Sequence, residues 1–328
     1  MPDIFNALPG LEVPVGVIAK NLGEMWQDPA AASAPPFPAE AAKATQVNFV
    51  LHLGLNTTVE DAVEQFQTAV AFSKRCPSRV VVLCPLRADD QGPDMRAKIY
   101  GECHLGKTKS DKRCVEFVML SYTRRARAFL ENQVSICLSV DLPLYYWAHR
   151  FSKSANLATY HYLLTKAQCV IIDSATAPDD ALTYGWPRPE TLRDLVHYRL
   201  LPIRQSLGQF LSRYPMKVLC EGLQKVTLAH DAGHAAEARV LLSWLEERLS
   251  QCGEHRAGYA RVALAAGQPG SFALSFDYAG SQKKFEWRGD LAQGTAQLEA
   301  DFGSGRTVLP AAVSLLSPEA ALAEAMFR

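Results

Sequence analysis

The sequence predicts an α/β protein: a mixed β-sheet flanked by helices, followed by a smaller α+β domain carrying an antiparallel sheet. Three observations lead there. Between Thr45 and Asp173, runs apolar on both faces alternate with segments of helical periodicity, the pattern of a sheet covered on both sides. Strand-like runs follow one another closely between residues 79 and 120, which suits antiparallel hairpins. After Gly253, short alternating runs are separated by Gly267-Gln268-Pro269-Gly270 and Ala279-Gly280-Ser281.

Taken in order, Leu11–Val15 is extended and leads into an amphipathic helix with Val17, Ile18, Leu22, Met25 and Trp26 on its apolar side. Residues 28–44 are rich in Ala and Pro, bury little, and read as a linker, so residues 1–44 are a helix and linker whose helix docks either on its own domain or on a partner. That domain, 45–215, opens with a buried strand at Val47–Leu55. Thr57 or Thr58 caps a helix through Val59, Ala62, Val63, Phe66 and Val70. Strands follow at 79–86, 97–103 and 115–120, then a helix from Arg124. The segment Asp141-Leu142-Pro143-Leu144-Tyr145-Tyr146-Trp147-Ala148-His149-Arg150 reads as a buried aromatic strand with polar ends, because Pro143 has no N–H to give and belongs at a strand's start. A helix near 156–167, a strand at 169–173 and a long helix from Pro189 to about Tyr214 complete the domain. Residues 216–328 form the second domain, with a strong helix at 235–249, strands at 259–265, 271–278, 283–288 and 295–300, and a closing helix that has Pro318 in its first turn.

Charge is balanced, with 34 basic and 34 acidic residues, which gives no support to nucleic-acid binding. The basic cluster Lys107–Arg113 reads as a solvated hairpin loop. No apolar run is long enough for a membrane helix and no secretory leader is visible, so a soluble cytoplasmic protein is expected. The eight cysteines form no Cys-x-x-Cys pair and are expected to be mostly buried and reduced; Cys103 and Cys114 flank the basic loop and could face each other across a hairpin.

Catalytic signatures are missing: there is no phosphate loop, no Gly-x-Gly-x-x-Gly after a strand and no nucleophile elbow, and nothing supports a nucleotide cofactor. His230 and His234, with Asp231 nearby, and Cys252 with His255, fall short of a metal-ligand set. Polar residues at strand ends are the remaining candidates. Asp141 and His149 bracket the aromatic strand, and Asp173-Ser174 ends the next one, where a carboxylate could take a substrate hydroxyl or, more commonly, serve a turn. Arg193, Arg199 and Arg204 fall on the expected long helix, where Arg193 and Arg204 would share a face and could bind an anion or pair with surface carboxylates.

The collinear set Ser78-Arg79-Val80, Ile99-Tyr100-Gly101-Glu102, Asp141-Leu142-Pro143 with Trp147, Ile171-Ile172-Asp173-Ser174, Asp194-Leu195, Tyr198-Arg199-Leu200 and Ile203-Arg204 resembles the glucose-6-phosphate dehydrogenase assembly protein family, OpcA. The resemblance covers about residues 45–215 and extends more weakly through Leu241-Leu242-Ser243-Trp244-Leu245 and the closing helix. Where the family tends to have Trp-Trp before Gly, this chain has Tyr146-Trp147-Ala148-His149. The resemblance implies a non-catalytic accessory protein, without cofactor, that binds glucose-6-phosphate dehydrogenase and favours its assembled or active state. Candidate contacts to that partner or to a ligand are Asp141, Trp147, His149, Asp173, Ser174, Arg199 and Arg204. The alternative is a sugar-phosphate enzyme or sensor that uses Asp141, His149 and Asp173 around a crevice.

Overall fold

The computed structural model describes residues 4–25, 45–87, 93–105, 112–253, 256–265, 269–280 and 282–328, with backbone alone for Met25, 103–105 and 112–114. Trp26, the segment 28–44, Lys107–Asp111 and His255 lie outside them. Contacts divide the chain into two compact units: Met1–Leu195 with Pro318–Arg328, and Val196–Ser317. The expected boundary at 215–216 therefore falls inside the second unit, and the closing helix belongs to the first.

Unit 1 begins with helix α1 (Ile4–Ala7), strand β1 (Leu11–Val13) and helix α2 (Ile18–Met25). Then come β2 (Val47–Leu53), α3 (Val59–Arg75), β3 (Ser78–Pro85), β4 (Met95–Leu105), β5 (Lys112–Tyr122), α4 (Arg127–Cys137), β6 (Leu144–His149), α5 (Ser154–Leu157), α6 (His161–Lys166), β7 (Cys169–Ile172) and β8 (Leu192–Asp194). The eight strands run in the order β1-β4-β5-β3-β2-β6-β7-β8. From β5 to β8 every neighbouring pair is parallel, while β4 pairs antiparallel with β5 and β1 antiparallel with β4. The chain starts this parallel block at β2, builds outward through β3 to β5, and then returns to the other side of β2 with β6. That return makes β2/β6 a topological switch point, the place where an open α/β sheet leaves a crevice beyond its strand ends.

Local chemistry explains these elements. Thr58 caps α3 by accepting from the Asp61 amide at 3.2 Å, acidic Glu60 and Asp61 sit in its first turn, and Lys74 and Arg75 in its last, as the helix dipole favours. All of β2 and β6 is buried, since helices cover both faces of the sheet. On one face Val50, Val118 and Tyr146 form a single core with Leu22 of α2 and Leu130 and Val134 of α4. On the other, Phe49 lies 5.8 Å from Phe72 of α3 and stacks on Trp147 at 6.3 Å. The closing helix α11 (Pro318–Phe327) joins this second face through Phe327, 5.8 Å from Tyr145. The buried ammonium of Lys98 on β4 donates to the carbonyls of Phe5 at 2.7 Å and Leu8 at 2.9 Å, satisfying the end of α1. The β4–β5 register places Cys103 opposite Cys114, as expected of a hairpin around the basic loop. Cys76, Cys84, Cys137, Cys169 and Cys220 are buried, and burial pushes the Cys137 thiol up to about 11.

The expected long helix from Pro189 to Tyr214 is not one element. Leu192–Asp194 pairs with β7 as strand β8, Leu195–Arg199 forms α7, and α8 (Leu201–Leu211) restarts around Pro202. Proline has no amide for the preceding turn and is accepted only at a helix start. Arg193 is consequently on a strand, and Arg199 and Arg204 are on separate helices.

Unit 2 continues with α9 (Met216–Cys220), β9 (Leu223–His230), α10 (Ala235–Ser250), β10 (Gly258–Ala263), β11 (Ser271–Tyr278), β12 (Lys284–Asp290), β13 (Thr295–Asp301) and β14 (Thr307–Ala312). Its six-stranded sheet has the order β10-β9-β11-β12-β13-β14. It is antiparallel from β9 to β14, as expected, except that β10 joins parallel to β9 through the crossover α10. Pro310 is tolerated because β14 is an edge strand. The core is aromatic: Phe272, Phe276, Phe285 and Trp287 are fully buried beside Leu241 and Leu245 of α10.

Candidate functional site

The loops after β2 and β6 meet at the switch point. The Gly54 amide donates to the His149 carbonyl at 2.7 Å, and a Cβ on Gly54 would stand only 2.3 Å from the Arg150 carbonyl oxygen and 2.6 Å from the Phe151 nitrogen. Arg150 has φ of 46°, which makes it the one non-glycine residue in the left-handed region among the described residues. Glycine at 54 lets the two backbones touch, and Arg150 takes the strained turn that results.

Above this contact lies a cavity of ≈ 380 Å³, whose walls include His52, Tyr122, Tyr160, Arg87, Arg124 and Arg127. A chain of polar groups forms its floor. His52 Nδ1 is 2.7 Å from the Tyr146 hydroxyl, His52 Nε2 is 2.8 Å from the Tyr122 hydroxyl, and the Tyr122 and Tyr160 hydroxyls are 2.9 Å apart. The Tyr160 ring meets His52 edge-on at 4.5 Å. Burial pushes the His52 imidazole down to about 3 and raises Tyr122 and Tyr146 well above the ordinary phenol range, so all of these groups are neutral at pH 7. A larger depression of ≈ 1080 Å³ on unit 2 has only solvent-accessible charged groups in its lining, Arg288 and Asp290, and no comparable network.

The neutral histidine predicts an acid instability. The unfolded chain takes up a proton at His52 below about pH 6.5, whereas the native state resists until about 3, so stability present above 6.5 is lost progressively as pH falls through that window. The loss reaches roughly 4–5 kcal/mol at about 1.4 kcal/mol per pH unit. Urea unfolding between pH 7 and 4 checks this. Replacing His52 by Phe lowers stability throughout but flattens the slope; an unchanged slope would show that His52 is not the group responsible.

The residues expected from the sequence fall in different places. Asp141 is exposed in the turn three residues before β6, whereas His149 ends that strand, which by itself spans roughly 17 Å at about 3.3 Å per residue. His149 was expected to be free for a loop or partner; it is buried instead, with Nε2 2.8 Å from Asp61 Oδ2 of α3. The same carboxylate oxygen sits 2.6 Å from Arg150 Nε. Trp147 is 2 % exposed in the core. Asp173 accepts from the Ala175 amide at 2.9 Å, the turn role, and Ser174 donates its hydroxyl to Asp194 at 2.6 Å. Arg199 pairs with Glu237 at 3.1 Å, and Arg204 donates to the His197 carbonyl at 3.0 Å. Asp141, His149 and Asp173 therefore do not converge on one crevice. His230 and His234 turn to Asp231, and no group of three His, Cys, Asp or Glu among the described residues is placed to hold a metal. Sequence reading missed His52, Tyr122 and Tyr160, whose scattered positions carry no local signature. The Gly after a buried strand, Gly54, was the available hint.

Residues 69–184, from within α3 to beyond β7, match the family described as the glucose-6-phosphate dehydrogenase subunit N-terminal domain, OpcA type. The matched segment is thus similar to the OpcA family over about a third of the chain. Two cyanobacterial relatives bear the name "Putative OxPP cycle protein OpcA": that of Synechocystis sp. is 26% identical over 179 residues, and that of Nostoc punctiforme is 25% identical over 181 residues. Each match covers 53% of this chain, but only 37% and 38% of the respective relative. The OpcA match includes Tyr122, Arg124, Arg127 and Tyr160 of the cavity, while His52 and Gly54 precede it. No helix among the described residues is long and apolar enough to cross a membrane.

Proposed function

We propose that this chain is a non-catalytic accessory protein that binds glucose-6-phosphate dehydrogenase and promotes its assembly or active conformation. The observation that carries the reading is the match of residues 69–184 to a domain described as a subunit of that dehydrogenase. The missing catalytic motifs agree with it. The mechanism is linkage: a partner that prefers the active conformation shifts the population toward it, and about 1.4 kcal/mol of preference changes the ratio tenfold.

Within the matched segment, the outer side of α4 supplies a surface for such a contact. Phe129 is 64% exposed and Ile136 62%, seven residues apart and so on one helix face; Val140, just past the helix end, is 98% exposed, and Asp141 beside it is also exposed. Isolated exposed apolar residues are ordinary, but two on one helix face with a third just past its end suit association. Trp147 and His149 are buried on the opposite, α3-covered face of the sheet and do not reach that surface.

The test mixes the purified chain with the dehydrogenase of the same organism and follows turnover, substrate affinity and oligomeric size. A complex with altered kinetics is expected at micromolar concentration. Phe129→Asp together with Ile136→Asp should weaken it at least tenfold, about 1.4 kcal/mol, without changing the chain's own unfolding. Neither complex nor kinetic effect at that concentration would end the accessory reading; a complex that ignores the double substitution would move the contact elsewhere.

A further inference from the structure

We infer that the cavity at the β2/β6 switch point binds a small organic phosphate. The inference goes beyond the accessory role and does not depend on it. Position is the first argument: the cavity lies outside the carboxyl ends of parallel strands, at the one place where the order of the sheet reverses.

Charge is the second. Arg87, Arg124 and Arg127 line the cavity and no carboxylate does, among the described residues. Arg127 is half-buried as the first residue of α4, with its guanidinium 5.9 Å from the centre of the Tyr160 ring. Arg87 donates to the Leu55 carbonyl at 3.4 Å, which holds it at the cavity rim. Guanidinium groups present paired donors that match phosphate oxygens. Arg124 and Arg127, with no carboxylate beside them among the described lining residues, suit a ligand that brings the negative charge.

The third argument is the direction of the hydroxyl chain. Tyr146 is fully buried, and its hydroxyl has His52 Nδ1 as its hydrogen-bond partner. An O–H buried without an acceptor is costly, so Tyr146 donates to Nδ1. A neutral imidazole then carries its proton on Nε2 and donates it to the Tyr122 oxygen. Tyr122 in turn donates to the Tyr160 oxygen, and the Tyr160 proton is left to point out of the chain. Tyr160 is half-buried in the cavity wall, so the network ends as a hydrogen-bond donor there. A donor beside arginines suits an anion and not a cation or an amine.

Size and lining decide between a bare ion and an organic molecule. A volume of ≈ 380 Å³ is within the range of small-molecule pockets, roughly 300–1,000 Å³, and far exceeds one phosphate. Leu55, Phe151 and Leu157 supply an apolar wall for the body of the ligand, and Ser152 and Asn156 add polar contacts.

Isothermal titration calorimetry of the full chain tests this with glucose 6-phosphate as the organic probe, inorganic phosphate as the bare anion, and glucose and sodium chloride as controls. Saturable binding of glucose 6-phosphate is expected, with inorganic phosphate weaker and glucose silent. Arg124→Glu reverses an exposed charge, should not disturb folding, and is expected to weaken binding at least tenfold; Tyr160→Phe, which removes the terminal donor, is expected to weaken it several-fold. Absence of saturable heat from either phosphate up to about 10 mM, a range that includes even weak sites, would overturn the inference. So would an equal response to chloride at matched ionic strength, or binding that both variants leave unchanged. Binding of inorganic phosphate alone would overturn the organic part. None of these outcomes bears on the dehydrogenase complex, which is measured separately.

Discussion

Gly54→Ala is expected to destabilise unit 1 by more than about 3 kcal/mol, the upper range for forced overpacking. The added methyl would meet backbone: the Arg150 carbonyl oxygen at 2.3 Å, its carbon at 2.5 Å and the Phe151 nitrogen at 2.6 Å. A flexible side chain could move aside, but these atoms belong to the chain leaving β6, and the Gly54 amide is itself hydrogen-bonded to the His149 carbonyl. Relief therefore requires the ends of β2 and β6 to separate, which also opens the cavity above them. Amide hydrogen exchange provides the measurement, with loss of protection expected first in β2 and β6. Gly23→Ala is the internal control, because nothing lies within 4 Å of a Cβ there and an interior helix position gains up to about 1 kcal/mol from alanine. Equal protection in the two variants would show that the loops after β2 and β6 are not packed as described.

Trp147→Ala is expected to cost about 3–5 kcal/mol, the range for emptying a buried aromatic site. Trp147 is 2 % exposed, stacks on Phe49 at 6.3 Å and meets His149 edge-on at 5.7 Å. Its Nε1 is buried without a hydrogen-bond partner, so the residue contributes through its area and not through a polar contact. Trp147→Phe should consequently recover most of the loss. Urea unfolding of both variants makes the comparison, and a near-neutral alanine variant would mean that the aromatic strand is not in the core.

Much of unit 1 was legible in the sequence, for reasons that are local. Valine-dense β3, the all-buried β2, the helical spacing of α3 behind its Thr58 cap, and the aromatic run of β6 after Pro143 each satisfy a nearest-neighbour rule. The misreadings share a cause. Leu192–Asp194 has no strand signature of its own and becomes β8 because the edge of β7 is there to pair with it. The spacing of Arg193 and Arg204 implied a shared helix face, yet β8 and the break before Pro202 separate them. Asp141 and His149 read as the polar ends of one strand, but Asp141 lies in the turn before its amino end and His149 at its carboxyl end, so they do not meet.

The candidate site was less legible than the fold. Its parts come from residues 52–55, 85–87, 122–127, 148–152 and 156–160, and no single stretch contains enough of them to show a pattern. His52 looks in sequence like an ordinary polar position in an apolar strand; only the packing of Tyr122, Tyr146 and Tyr160 around it makes it a neutral link in a hydroxyl chain.

The sequence by itself determined the class of fold, the positions of most strands and helices, and a family resemblance, because periodicity, capping and segment order are properties of neighbours along the chain. The tertiary structure decided the strand order, and with it the β2/β6 switch point, the close approach at Gly54, and the gathering of three arginines around a polar floor. Strand order depends on long-range pairing between segments whose local sequences would fit several neighbours equally well. The site exists only where one of those arrangements is chosen.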